Sequence, residues 1–210
     1  HSNDELSAGD MMGLYIEYWI NRQSGKNIES AFEQNESLKL KFVKEFFIEV
    51  SISLYLNNKT KISSEEIIAK LKDFIIKSNI TGFETKEAKE GFEQEILTAY
   101  FMEREGDEFR FAHKSFFEYF VSLRLIELLK AKDLKNPLIH TNWSLEIIDF
   151  IYDSIPQVHR NNPEIPALLS FVNGKLQAKI KMILFKLGII VNHISNQITE
   201  YFFFFYLIFA

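Results

Sequence analysis

From Leu38 to about Leu56 apolar residues recur every three or four positions. Phe42, Val43, Phe46, Phe47, Val50 and Leu54 fall on one broad face, which predicts a helix. Asn57-Asn58 predicts its stop, because asparagine tolerates the left-handed backbone conformation. Ile62 then precedes Ser63-Ser64-Glu65-Glu66, which has the Ser-x-x-Glu spacing of a capping box. The helix that follows has Ile67, Ile68, Leu71, Phe74 and Ile75 as its buried stripe and ends near Asn79 and Gly82. Thr85 to about Glu95 reads as a charged helix with a narrow apolar face of Ala88, Phe92 and Ile96. After it the period shifts from helical towards alternating. Residues 97–112 predict a β-hairpin that turns at Gly106-Asp107, with Glu108-Phe109-Arg110-Phe111 as its cleanly alternating arm.

That arm runs directly into His113-Lys114-Ser115-Phe116-Phe117-Glu118, so a short strand ends at a histidine and a helix begins at once. Ser115 and Glu118 again show capping-box spacing, and Phe116, Phe117, Phe120, Leu123 and Leu128 predict the buried face. Upstream, residues 10–22 carry Leu14, Tyr15, Tyr18 and Trp19 at helical spacing, with Asp10 as the N-cap. Gly25 and Asn27 break that helix, and residues 27–37 read as a polar linker or an exposed helix. Downstream, Lys135-Asn136-Pro137 breaks the chain and a helix is expected around Trp143–Ile151. Pro156, Pro163, Pro166 and Gly174 then divide the remainder into short helices of roughly 10–15 residues.

Composition narrows the classes. With 210 residues, 47% hydrophobic and 21 Phe, the chain can bury a sizeable core and is not a disordered polymer. A net charge of −5 disfavours a nucleic-acid binder. There is no cysteine, so neither a disulfide nor a thiolate metal site can form, which fits a reducing compartment such as the cytoplasm. No secretory signal stands at the start, and His1 reads as the edge of a fragment. Tyr201–Ala210 is almost wholly apolar but too short for a bilayer span of about 20 residues. A core element whose partner lies elsewhere is the first reading of that tail, and a truncated membrane segment the second.

Little in the chain reads as chemistry. A phosphate-binding loop requires Gly-x-x-x-x-Gly-Lys-Ser/Thr. Gly25-Lys26 is followed by Asn27 and Gly174-Lys175 by Leu176, so neither qualifies, and no paired-acid strand end accompanies them. His113, His140, His159 and His193 lack metal-ligand spacing, so no metal site is expected. No hydrolytic triad is legible, and no catalytic residue is assigned. Glu65-Glu66 and Glu103/Glu105 read as solvated surface, as do Lys39, Lys41, Lys44, Lys70, Lys72 and Lys77 among interleaved acids. His113 is different, because the start of a helix offers free N–H groups and the positive end of the dipole to an anion. The alternative is a histidine that bonds a backbone carbonyl or packs under the hairpin.

The run Phe109-Arg110-Phe111-Ala112-His113-Lys114-Ser115-Phe116-Phe117-Glu118-Tyr119-Phe120 resembles the winged-helix motif of NACHT-type signalling NTPases, Phe-x-Phe-x-His-x-Ser-Phe-x-Glu-Tyr/Phe-Phe. Leu14–Arg22 is similar to the last helix of the helical domain that precedes it there. Trp143–Ile151 is similar to the opening helix of the family's second helical domain, with one residue inserted between Trp143 and Glu146. The resemblance implies a mainly α chain: the end of a helical domain over 1–35, a winged-helix domain of helices plus one β-hairpin over 36–130, and the start of a second helical domain over 131–210. It implies that His113 binds the β-phosphate of ADP in a resting state. The ADP/ATP site would be completed by a NACHT core and governed by a sensor domain of the same parent chain. Activation would bring oligomerisation, in signalling, innate immunity or anti-phage defence. The chain alone would not be an enzyme, because the P-loop core is missing from it. Two other readings stay open: a winged-helix DNA-binding or protein-interaction adaptor, and a helical scaffold with a membrane-directed tail.

Overall fold

The computed structural model describes residues 6–23, 25–32, 35–80, 86–158 and 170–178. Over these the chain is mainly helical, with one three-stranded antiparallel sheet. It divides into two units, one up to Thr141 and one from Asn142.

The first unit opens with helix α1, Ala8–Gln23. Its cap is Ser7, and the expected cap Asp10 plays the reciprocal part. The Asp10 amide donates to Ser7 Oγ (3.1 Å) and the Ser7 amide to Asp10 Oδ2 (3.2 Å). The buried residues are Ile16 and Ile20, while Leu14, Tyr15 and Tyr18 are 55, 44 and 57% exposed. Both stripes obey helical spacing; the aliphatic one takes the packed side. Within 27–37, expected to be a linker or an exposed helix, a helix does form, but it is not an exposed one. Helix α2, Lys26–Ala31, buries Ile28 and Ala31, and Phe32 behind it packs against Phe42 and Phe92. Its first turn is capped from a distance: Glu95 Oε2 accepts from the Ile28 amide at 3.0 Å. Gly25 leaves room for that carboxylate, because a Cβ there would lie 2.5 Å from it. Lys39, expected on a solvated face, is buried and paired with Glu29 at 2.7 Å.

Helix α3, Glu36–Leu56, is capped by Asn35 and buries all six residues of its expected face. Asn57 closes it and Asn58 takes the left-handed conformation (φ 52°). A strand absent from the sequence reading follows: β1, Lys61–Ser63, only three residues long. Ser63 then caps helix α4, Ser64–Lys77, accepting from the Glu66 amide at 3.1 Å. Ile67, Leu71, Phe74 and Ile75 are buried as expected, with Ile68 at the margin. Helix α5, Lys86–Ala99, runs past Glu95 into the stretch expected to be hairpin. Burial of Phe92, Ile96 and Leu97 holds the extra turn in helix. The hairpin is therefore shorter: β2, Met102–Glu105, and β3, Glu108–Phe111, joined through Gly106 at φ 64°. β3 is central in the order β1-β3-β2, with Ile62 opposite Phe109 and Met102 opposite Phe111.

Helix α6, Lys114–Lys130, lies along α3. Its buried residues include Phe116, Phe120, Val121, Leu125 and Leu129, whereas Phe117, Leu123 and Leu128 are half-buried. A helix apolar on most sides leaves the buried face undecided by spacing alone. Phe47 of α3 sits at the centre of the packing. Its ring lies 5.3 Å from Phe101, 6.0 Å from Phe120 and 6.2 Å from Phe111, joining α3 to the start of the hairpin, its end and α6. Lys132 (φ 56°) turns the chain, and a 3-10 turn at Pro137–His140 buries Leu138 and Ile139.

In the second unit Trp143 is buried and Ser144 Oγ accepts from the Ile147 amide at 3.2 Å. Helix α7, Leu145–Val158, runs through Pro156, and residues 170–178 are helical through Gly174, so neither residue breaks its helix. Phe171 lies 5.8 Å from Trp143, whose ring also takes the Lys175 ammonium at 5.1 Å. Pro163, Pro166 and the apolar stretch 201–210 lie outside the described residues. No described helix is long and apolar enough to cross a membrane.

Two measurements check this packing. Phe47→Ala should cost about 3–5 kcal/mol in urea unfolding, because it empties a site lined by rings from the bend after α5, from β3 and from α6; a loss below ~1 kcal/mol would contradict the central placement of that ring. The Tyr119 hydroxyl lies against Gly13, whose added Cβ would be 3.0 Å away. Burial, then the Glu17 and Asp10 carboxylates, push the Tyr119 phenol up to about 12. A raised folded value means that the neutral phenol's contribution is complete below pH 10 and is lost as pH rises from 10 to 12. Tyr119→Phe should therefore lose up to ~2 kcal/mol less than wild type across that range. Parallel alkaline profiles for the two proteins would contradict it.

Candidate functional site

Strand β3 alternates by the pleat: Phe109 and Phe111 face inward, Glu108 and Arg110 outward. The pairing continues one step beyond the strand, since the Ala112 amide donates to the Phe101 carbonyl at 2.9 Å. His113 keeps an extended backbone (φ −131°, ψ 137°) and occupies the N-cap position of α6. Its carbonyl accepts from the Phe116 amide at 3.1 Å. The His113 side chain itself makes no capping hydrogen bond. The His113 ring is exposed and meets the Phe116 ring edge-on, with centroids 5.7 Å apart. The imidazole is therefore neither packed under the hairpin nor sealed in hydrocarbon.

The capping box expected from Ser115 and Glu118 does not form. The helix begins two residues before the position that box requires, because β3 ends at Phe111 and α6 already starts at Lys114. Ser115 is an exposed residue of the first turn. Glu118 lies inside α6, 3% exposed, and its Oε1 is 2.7 Å from Lys114 Nζ. Lys114 is itself largely exposed, so it bridges a buried carboxylate to the surface beside His113. On the other side of Glu118, burial raises the Tyr55 phenol above its ordinary value. A hydrogen bond with Thr141 opposes that shift and the Glu118 charge adds to it. The Lys-x-x-x-Glu spacing of residues 114 and 118 was the available sequence signal for this pair.

Helix α1 supplies the neighbouring wall. Tyr15 lies flat on Phe116, 5.9 Å between centroids and 10° between planes. Nothing in local spacing predicts that contact, which spans about a hundred residues of chain.

The outward face of the sheet is a ladder of ion pairs. Lys61 meets Glu105 at 3.1 Å and Glu108 at 3.8 Å, and Arg110 meets Glu103 at 3.2 Å and Glu105 at 3.6 Å. A hydrogen bond from Lys61, with its charge and that of Arg110, holds the Glu105 carboxyl below its usual range. Arg104 donates to the Gly106 carbonyl in the turn. An open groove of about 310 Å³ lies elsewhere, lined by Glu49, Ile52, Ser53, Arg124, Asn136 and Leu138. Arg124 in that groove pairs with Glu127 at 2.7 Å and Glu45 at 3.9 Å. Among the described residues no group of three or more His, Asp or Glu side chains is placed to hold a metal. The Gly25-Lys26 pair begins a helix whose start already takes the Glu95 carboxylate, and Gly174-Lys175 lies within a helix.

The Lys114–Glu118 pair makes an asymmetric prediction. Lys114→Met leaves a buried carboxylate without its cation and should cost more stability than Glu118→Gln, which leaves Lys114 free to turn to water; the gap should be about 1–3 kcal/mol. Urea unfolding of both variants checks it, and equal losses would contradict the burial of Glu118.

No family model, no curated protein and no solved structure matches this chain.

Proposed function

We propose that residues 36–130 are the winged-helix module of a NACHT-type signalling NTPase and that His113 contacts the β-phosphate of ADP in its resting state. Residues 1–35 then end a preceding helical domain and residues 131–210 begin a second one. The NTPase core, with its P-loop and Mg²⁺ site, comes from a parent chain outside residues 1–210. One observation carries the reading: an exposed imidazole stands at the N-cap position of a helix and makes no capping hydrogen bond of its own. The motif residues Phe109, Phe111, His113, Ser115, Phe116, Glu118 and Phe120 surround it in the order the family uses.

The chemistry suits a switch. Neutral imidazole donates one hydrogen bond to a phosphate oxygen, and imidazolium donates a charge-assisted one. Such a bond contributes about 1.5–3 kcal/mol, enough to bias two conformations roughly ten- to a hundredfold. Closure over ADP requires this differential contact, since a ligand that touches both states equally shifts neither. Release of the module then exposes surfaces for oligomerisation.

The rival reading, a nucleic-acid grip by the hairpin, has weaker support. The hairpin cation Arg110 and its β1 neighbour Lys61 are held by Glu103, Glu105 and Glu108, and Arg104 donates to the Gly106 carbonyl, so these contacts would have to be broken before phosphates could bind.

In the parent chain, His113→Ala should raise the ADP release rate roughly ten- to a hundredfold and give activity without the sensed ligand. Release of labelled ADP from the purified protein measures it. An unchanged rate would reject the assignment, and salt-sensitive DNA binding by the 210-residue chain would favour the rival.

A further inference from the structure

Three rings link helix α1 to the imidazole. Tyr15 is stacked on Phe116 (5.9 Å, 10°), and Phe116 meets His113 edge-on (5.7 Å, 71°). Phe116 is also in contact with Phe101 (5.1 Å), a member of the Phe47 cluster. The Phe116 ring is therefore held on two sides, by the core through Phe101 and by α1 through Tyr15. The two sides differ in firmness. Phe101 is buried, whereas Tyr15 is near the surface, with Trp19 at 5.7 Å as its other ring neighbour.

His113 is less constrained. It sits on extended backbone, exposed, with the edge contact to Phe116 as its ring packing. A side chain in that position turns about χ1 and χ2 unless a neighbour selects one rotamer. Phe116 is that neighbour, and Tyr15 stacks on Phe116.

We propose that Tyr15 is a positioning residue for His113: by stacking on Phe116 it fixes the direction of the imidazole and couples the placement of α1 to phosphate recognition. The phosphate half of this proposal rests on the reading of His113 given above, and the ring coupling does not. If α1 shifts, Phe116 loses one wall, its ring samples other rotamers, and the imidazole is no longer held in one direction. A single aromatic pair is enough to shift such an equilibrium roughly two- to tenfold.

The first test uses the 210-residue chain with labelled histidine rings and ring carbon–proton correlation NMR, the His113 signal being identified by His113→Asn. The ring contacts of Tyr15 are with Trp19 and Phe116, not with His113. Tyr15→Leu should move the His113 ring shifts towards those of the unfolded chain and average its χ1 couplings, while Tyr15→Phe, which keeps the stack, should preserve both. Unmoved His113 signals in folded Tyr15→Leu, or equal changes in Tyr15→Phe, overturn the coupling. The second test measures ADP release from the parent chain. Tyr15→Leu should speed release roughly two- to tenfold and add nothing in a His113→Ala background. An equal effect in both backgrounds overturns the coupling of α1 to phosphate recognition. If His113→Ala alone leaves release unchanged, the phosphate half falls, and the NMR result still decides the ring coupling.

Discussion

The contact of Phe47 with Phe101, Phe111 and Phe120 is the constraint on which the first unit depends. These rings come from α3, the bend after α5, the end of β3 and α6. Aromatic side chains bury large areas, so a shift of any one element uncovers surface on the others. Phe111 is fixed by this cluster, and His113 follows two residues later. The chain must pass from a buried strand end to the surface and begin a helix within that interval. That passage is what leaves an imidazole exposed at the start of α6.

The starts of helices α1 to α4 are matched by side chains of the protein, whereas the Trp19 indole nitrogen is buried without a partner among the described residues. Asp10 and Ser7 cap α1, Glu95 caps α2, Asn35 caps α3 and Ser63 caps α4. The cations of the sheet are tied to neighbouring carboxylates. At α6 the N-cap residue His113 makes no capping hydrogen bond with its side chain, and the carboxylate in the second turn is paired with Lys114. An anion approaching α6 would meet His113 and a helix dipole, with the Glu118 charge compensated. The same chemistry that would receive a phosphate is used up at α2 by the protein's own Glu95.

Much of this fold was legible in the sequence, for identifiable reasons. The faces of α3 and α4 carry strong 3.6-residue patterns, and Asn58 and Asn79 mark their ends by taking the left-handed conformation. The candidate residue His113 was legible because a period-2 run meets a helical run there. What was missed depends on distant partners. β1 has only three residues and exists because β3 pairs with it. α2 forms because Phe32 finds Phe42 and Phe92 and because Glu95 supplies its cap. The apolar stripe of α1 had two candidates, and only packing chose Ile16 and Ile20 over Tyr15 and Tyr18. At α6 the Ser-x-x-Glu spacing misled: His113, two residues past the end of β3, took the N-cap position, and Glu118 became a buried partner of Lys114.

The most direct test of the central claim, that the exposed His113 ring reads a phosphate, is an experimental structure of the parent chain with ADP bound. An imidazole nitrogen of His113 should lie about 2.7–3.2 Å from a β-phosphate oxygen, with the start of α6 facing the nucleotide. Bound ADP with the His113 ring turned to bulk water, or with α6 starting away from the phosphates, would contradict it.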